Sequence, residues 1–179
     1  MGGRDDLSPG EWAVLALVAE QPAHGWAVAR TLSPDGEVGR VWTIPRPLVY
    51  RALDTLLAAD LLAHHGVEAG DRGPRRVILE VTPAGRARLD AWLAEPVARV
   101  RDVRSLLLLK LLFLDRRGAD PRPLLTQQRT VLATTEERLA ARLAESSGAE
   151  RMLLAFRLET TRAVGRFVEG QLAAPSAGR

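Results

Sequence analysis

The segment from Pro47 to Val81, PLVYRALDTLLAADLLAHHGVEAGDRGPRRVILEV, contains a helical pattern followed directly by two runs that favour β-strands. Through about Ala59, apolar residues recur at the spacing of one helix face. These positions are Leu48, Val49, Ala52, Leu53, Leu56 and Leu57. Pro47 suits the first position of a helix, and the residue before a proline is pushed towards extended backbone. We therefore expect a helix that begins at Pro47, with Arg46 just outside its first turn.

The second half of this segment predicts a β-hairpin. Residues 61–67 (LLAHHGV) and 76–81 (RVILEV) can form strands, and the residues between them include two glycines and a proline. This composition favours two antiparallel strands joined by a turn.

Further helices are predicted on both sides of this segment. Ser8 and Glu11 fit a capping box at the start of a first helix, which carries an apolar stripe at i, i+3, i+4 and i+7. The stripe consists of Trp12, Leu15, Ala16 and Ala19. A second helix is expected over about residues 24–32 and a short strand over 41–44. A fourth helix, capped by Thr82 and with Pro83 at its first position, is expected to run to about residue 95. Three helices, a hairpin and a further helix follow the order of a winged helix-turn-helix module, although other small α+β domains share it.

The chain of 179 residues divides near Pro96. Residues 1–95 mix helices with the hairpin, whereas residues 97–174 are predicted to be helical throughout. We therefore expect a mainly α fold with a small β-hairpin. It would comprise an N-terminal winged helix-turn-helix domain (1–95) and a C-terminal all-helical domain (96–179).

Positive charge collects at two places in the first domain. Of the 25 basic residues, all but Lys110 are arginines, a bias that a GC-rich genome would also produce. Residues 1–95 as a whole are slightly acidic, so only the local placement of arginine argues for DNA binding. The guanidinium group is a planar fork that suits phosphate and guanine. The predicted DNA-binding residues at the third helix and the hairpin are Arg46, Tyr50, Arg51, Arg72 and Arg75. Solvated surface positions for the arginines, and a half-buried core position for Tyr50, remain open alternatives.

The C-terminal half carries an apolar stripe at helical spacing. Its members alternate in steps of four and three residues, the pattern of a helix packed lengthwise on another. They are Leu154, Leu158, Thr161, Gly165, Val168 and Leu172. We favour a homodimer packed through this seam, with a helical hairpin inside one chain as the alternative.

Several motifs of residues 1–95 resemble the PadR family of bacterial transcriptional regulators. They are the opening helix LSPGEWAVLALVAE (7–20), PAHGWAV (22–28), VYRAL (49–53), the hairpin loop DRGPRRV (71–77) and TPAGR (82–86). A weaker likeness continues over DVRSLLLLKLLF (102–113), as in the longer members with a C-terminal helical domain. Trp26 stands where the family usually has tyrosine, and Pro45-Arg46-Pro47 replaces its usual Ser-Pro-Gly.

The resemblance implies a homodimeric repressor that holds an inverted-repeat operator in double-stranded DNA. Residues 1–95 would be its DNA-binding domain, and residues 96–179 its dimerisation and possible effector domain. The resemblance places the DNA surface at Trp26, Tyr50, Arg51, Arg72 and Arg75. It also suggests release by a small hydrophobic or aromatic effector, for which Trp92 and Phe113 are candidate pocket residues. A winged-helix module that binds a protein partner and never DNA is the alternative function.

The sequence lacks the features of an enzyme or a membrane protein. It has no cysteine, no P-loop, no nucleophile elbow and no zinc-binding helix motif, and its adjacent histidines, His64 and His65, would point to opposite faces of a strand. We therefore expect no catalytic residue, no metal and no cofactor. No apolar run is long enough to span a membrane, and the first residues lack a secretory signal, so a cytoplasmic protein is expected.

Overall fold

The structure is a computed structural model that describes residues 7–68 and 76–174. These residues form two compact units. The first contains the described residues up to Leu93 together with Leu108–Phe113, and the second contains Ala94–Leu107 and the described residues from Leu114 onward.

The first unit consists of helices around a small sheet. Its elements in chain order are α1 (Pro9–Glu20), β1 (Ala23–His24), α2 (Gly25–Thr31), α3 (Arg46–Ala58), β2 (Leu62–Glu68), β3 (Arg76–Val81) and α4 (Pro83–Ala94). The mainly helical prediction and the hairpin are confirmed. This order of helices and strands is that of a winged helix.

The first helix begins at the capping box that the sequence predicts. The Ser8 hydroxyl accepts a hydrogen bond from the Glu11 backbone N–H, and the Glu11 carboxylate accepts one from the Ser8 N–H at 2.6 Å. The prediction of a single apolar stripe was wrong, because every residue from Glu11 to Ala19 is buried. Helix α1 packs against α2, α3 and β3, so nearly all of its sides face other elements of the unit.

The sheet has three antiparallel strands in the order β1-β3-β2. Strand β1 pairs with β3 through Ala23 opposite Leu79 and His24 opposite Ile78. The sequence did not predict this strand, since two residues carry no detectable alternation. The hairpin pairs Leu62 with Val81 at its base, and the register shifts between His64 and Gly66.

The predicted strand at residues 41–44 is absent. The backbone N–H groups of Val41 and Trp42 both donate to the Val38 carbonyl oxygen at 3.0 Å, and the Ile44 N–H donates to Leu32. A local turn and the carbonyl oxygen at the end of α2 therefore satisfy these donors, and no partner strand is needed.

Helix α3 begins one residue earlier than predicted. The carbonyl oxygen of Pro45 accepts from the N–H groups of Leu48 and Val49, which makes Arg46 the first helical residue. Pro47 then occupies the second position, where its missing N–H would have had no helical partner in any case.

The second unit is built on two long antiparallel helices, α6 (Arg122–Glu145) and α7 (Gly148–Ala173), which pack along each other. Helix α5 (Leu108–Arg116) precedes them and contributes residues to both units. The buried side chain of Gln128 on α6 accepts from the Val97 N–H at 2.8 Å and donates to the Val97 carbonyl oxygen at 3.0 Å. Glu136 and Glu159 accept hydrogen bonds from Arg162, which raises the pKa of its guanidinium group above the ordinary value.

Candidate nucleic-acid interface

The outward side of α3 carries three of the predicted DNA-binding residues. Val49, Ala52, Leu53 and Leu56 are buried and anchor the helix in the core, whereas Arg46, Tyr50 and Arg51 are exposed. The guanidinium carbon of Arg46 lies 5.7 Å from the centroid of the Tyr50 ring. Because Arg46 is the first residue of α3, its positive charge stands at the end of the helix that would enter a groove.

Arg51 faces a second feature of this surface, a cleft of about 470 Å³ between α3 and the start of α1. Trp42, Leu48 and Thr55 also line it, and Leu48 is 51% exposed. Apolar side chains beside an arginine could contact a thymine methyl group, which is one of the features that proteins read in the major groove.

Tyr50 is positioned by a glycine at the start of α2. A Cβ atom built on Gly25 would lie 2.8 Å from the Cε1 of Tyr50 and 3.0 Å from the Cδ1 of Leu53. Only a residue without a side chain allows this approach. The glycine that follows His24 therefore has a steric role, since it lets the Tyr50 ring pack against the backbone of α2.

His24 itself is the N-cap of α2. Its Nδ1 accepts a hydrogen bond from the Ala27 N–H at 3.1 Å, which satisfies one of the helix's unpaired donors. The acceptor role fixes the neutral tautomer with its proton on Nε2.

Trp26 forms a basic and aromatic cluster with Arg30 of α2 and Arg76 of β3. The guanidinium carbons of Arg30 and Arg76 lie 5.2 and 5.6 Å from the centroid of the indole ring, and the ring is 43% exposed. Sequence reasoning missed Arg30 and Arg76 as site residues. The spacing of four between Trp26 and Arg30 was a usable signal, because such residues are neighbours on a helix. The place of Arg76 depends on the unpredicted pairing of β1 with β3.

Arg72 and Arg75, the two predicted arginines of the hairpin loop, lie outside the described residues. The described part of the interface thus contains four exposed arginines, one each from α2 and β3 and two from α3. They are Arg30, Arg46, Arg51 and Arg76.

Comparison with known families finds a match for most of the first unit. Residues 14–91 match the model of the transcriptional regulator PadR-like family. Over this segment, which is less than half of the chain, the protein is similar to the PadR-like family of transcriptional regulators. The PadR-like segment contains α2, α3, the sheet and most of α4, and therefore every described residue of the interface.

A curated relative of the PadR-like chain is a probable transcriptional regulator of Mycobacterium tuberculosis. It is 29% identical over 98 residues, which are 52% of this chain and 48% of the relative. The chain thus matches about half the length of that relative. The family and this relative are described as transcriptional regulators and not as enzymes, in agreement with the sequence prediction.

Solved structures of PadR proteins are similar to the chain at low identity. Bacillus subtilis PadR in complex with operator DNA is 18% identical, with a TM-score of 0.47 over 91% of this chain and 97% of that one. The same protein in complex with p-coumaric acid is 18% identical, with a TM-score of 0.45 over 93% and 98% of the two chains. Similarity of this degree does not transfer the ligands of those proteins to the PadR-like chain.

The predicted dimer seam of the PadR-like chain lies inside its own helical pair. Four of its six residues are buried in the second unit, where α7 packs along α6, and the other two are partly buried. The buried ones are Leu154, Leu158, Thr161 and Val168, and the partly buried ones are Gly165 and Leu172. The alternative of a hairpin within one chain therefore accounts for this stripe. The large exposed apolar side chains of α7 are instead Met152, Leu153, Phe156 and Phe167.

The two predicted effector residues, Trp92 and Phe113, are core side chains of the first unit. Trp92 stacks on Trp12 with ring centroids 4.7 Å apart and an interplanar angle of 10°, and the ammonium group of Lys110 lies 4.9 Å from its ring. Phe113 is fully buried. Both residues therefore stabilise packing in the PadR-like chain.

Two findings apply to residues 7–68 and 76–174 alone. Within these ranges, no three or more acidic or histidine side chains come together in a way that could hold a metal ion. No helix there combines the length and the apolarity needed to cross a bilayer.

Proposed function

We propose that this PadR-like regulator binds operator DNA as a homodimer and represses transcription by occupying a promoter. The observation that supports the proposal best is the exposed basic and aromatic surface on α2, α3 and β3. Part of this surface lies on α3, and an α-helix fits the major groove of DNA. In this arrangement α3 would present Arg46, Tyr50 and Arg51 to the DNA. The hairpin, with Arg72 and Arg75, would contact the neighbouring backbone.

Local charge supports this assignment although residues 1–95 are slightly acidic overall. Arg46 and Arg51 have no acidic residue between positions 40 and 53. Phosphate contacts depend on the cations that face the DNA and not on the total charge of a domain. A concentrated basic surface on an acidic domain would also orient the protein as it approaches the duplex.

The proposed homodimer uses the exposed side of α7. Met152, Phe156, Ala163 and Phe167 recur in steps of four and seven, so they form a stripe on the side of the helix turned away from the α6–α7 seam. Met152 and Phe156 are 72% and 70% exposed. A second copy would offer the same stripe and form a two-fold symmetric interface. Two DNA-binding units would then read two halves of an inverted repeat, about 34–36 Å apart for successive turns of one groove face.

Binding to labelled duplexes over a range of salt concentrations tests the DNA proposal. The probe is the region upstream of the chain's own gene, with a scrambled duplex as competitor, and fluorescence anisotropy as the readout. We expect binding that weakens steeply with salt, and a loss of affinity in Arg51→Ala. Arg129→Ala, on the exposed side of α6, removes the same charge elsewhere and should bind like the wild type.

Two outcomes would overturn the DNA proposal. If the wild type binds no duplex at low salt, or if its affinity is independent of salt, phosphate contacts do not drive its interactions. A winged-helix module for a protein partner would then be the better assignment.

Release by a small hydrophobic or aromatic effector and location in the cytoplasm, where bacterial operators are, stay predictions. An effector would act by favouring a dimer whose half-site spacing does not match the operator. A compound that raises the melting temperature of the protein and lowers its operator affinity would support this mechanism.

A further inference from the structure

The cluster of Trp26, Arg30 and Arg76 joins parts of the first unit that are far apart in sequence. Trp26 and Arg30 are on α2, whereas Arg76 is the first residue of β3, at the end of the hairpin strand that follows the loop. Both guanidinium carbons lie within 6 Å of the same ring centroid. A single indole ring therefore contacts one arginine from the helix and one from the hairpin.

The contacts of Arg76 suggest that the ring is its main anchor. Its Nη1 lies 3.4 Å from the Nε2 of His24. Because the Nδ1 of His24 accepts from Ala27, its Nε2 carries the proton and cannot accept from Arg76. Among the contacts described for Arg76, the face of Trp26 is thus the favourable one. Tryptophan is the aromatic residue that attracts cations most strongly.

The two guanidinium groups are held close enough to act on one stretch of DNA backbone. Since both lie near the same centroid, their carbons are no more than about 11 Å apart. Duplex DNA carries one phosphate charge for about every 1.7 Å of its axis, so several phosphates fall within that span.

We propose that Trp26 is a positioning residue that holds Arg30 and Arg76 together as a phosphate-binding pair. This inference rests on the proposed DNA binding and adds two contact residues to it. Trp26 restricts the rotamers of both side chains before the DNA arrives, so less conformational entropy is lost on binding. It also ties the hairpin to α2, which sets where the hairpin meets the backbone.

The salt dependence of DNA binding tests whether Trp26 positions Arg30 and Arg76 for phosphate contacts. Each phosphate contact contributes about 0.9 to the slope of log affinity against log salt concentration. Arg30→Ala and Arg76→Ala should each reduce the slope by about one contact. Trp26→Ala removes no charge, yet it should reduce the slope by the equivalent of one to two phosphate contacts, because neither arginine is then held by the ring.

Two variants distinguish positioning from a direct contact of Trp26 with DNA. Trp26→Phe keeps a ring for the guanidinium groups but removes the indole N–H, so it should retain most of the wild-type slope. Trp26→Ala introduced into Arg30→Ala/Arg76→Ala should cause no further reduction. Gln127→Ala, a neutral truncation of an exposed residue on α6, serves as the control and should leave the slope unchanged.

The experiment uses the full chain and the fluorescein-labelled upstream duplex, with far-UV circular dichroism to verify folding of each variant. An unchanged slope in Trp26→Ala, or a loss in Trp26→Phe as large as in Trp26→Ala, would overturn the inference.

If Trp26→Ala does not fold, Trp26→Phe and the two arginine variants decide whether Trp26 positions Arg30 and Arg76. Loss of binding in Arg51→Ala with wild-type slopes in Arg30→Ala and Arg76→Ala would reject this inference alone. Failure of the wild type to bind any duplex would reject the proposed function itself.

Discussion

The ring of Tyr50 packs on the backbone of Gly25, so that a methyl group at Gly25 would stand 2.8 Å from the Cε1 of Tyr50. This contact joins the first residue of α2 to the side of α3 that faces solvent. The position of an exposed aromatic ring on the proposed DNA surface is therefore set by the absence of a side chain 25 residues earlier.

Gly25→Ala should displace Tyr50 and weaken DNA binding. Overpacking of this kind costs about 1–3 kcal/mol in the free energy of unfolding. Thermal denaturation and duplex binding measure the two effects. Gly170→Ala, at a position of α7 where the added atom meets nothing within 4 Å, should instead be neutral or stabilise the helix by up to about 1 kcal/mol. Equal effects of the two substitutions would contradict the steric role of Gly25.

His24→Ala should destabilise α2 by about 1 kcal/mol, because the Ala27 N–H loses its hydrogen-bond acceptor. His24→Asn should retain most of the stability, since asparagine is a preferred N-cap residue. Chemical denaturation of the three proteins checks this expectation. If both variants lose the same free energy, the imidazole contributes through its other contacts and not as a cap.

Gln128→Ala should destabilise the second unit strongly. The substitution leaves the N–H and the carbonyl of Val97 without the Gln128 partner, and each buried unsatisfied group costs about 1–3 kcal/mol. Gln127→Ala, next to it on the exposed side of α6, is the control and should change stability by less than about 0.5 kcal/mol. Similar melting temperatures for the two variants would show that Val97 has found another partner.

Substitutions on the two sides of α7 should affect stability and association differently. Phe156→Asp should convert the proposed dimer to a monomer while the melting temperature stays near that of a folded monomer, because the Phe156 side chain is 70% exposed. Leu154→Ala should lower the free energy of unfolding by about 2–5 kcal/mol, since Leu154 is buried against the chain's own helices. Analytical ultracentrifugation and thermal denaturation separate the two effects. A wild type that is monomeric at every concentration would refute the dimer.

Local interactions account for what the sequence determined by itself. The capping box of α1, the threonine cap of α4 and the hairpin between residues 62 and 81 were predicted because each depends on residues close in the chain. Tyr50 and Arg51 were predicted on an exposed surface for the same reason, since helical periodicity separates them from the buried side of α3.

The tertiary structure decided the features that join distant segments. The burial of α1 on nearly all sides depends on how many elements surround it, and the two-residue strand β1 exists because β3 offers it a partner. That pairing brings Arg76 to Trp26, 50 residues away. The stripe of α7 could pack on a second copy or on α6 with the same periodicity, and only the fold shows that α6 fills it. A periodic pattern indicates that one face of a helix is buried. Which element covers that face depends on the path of the whole chain.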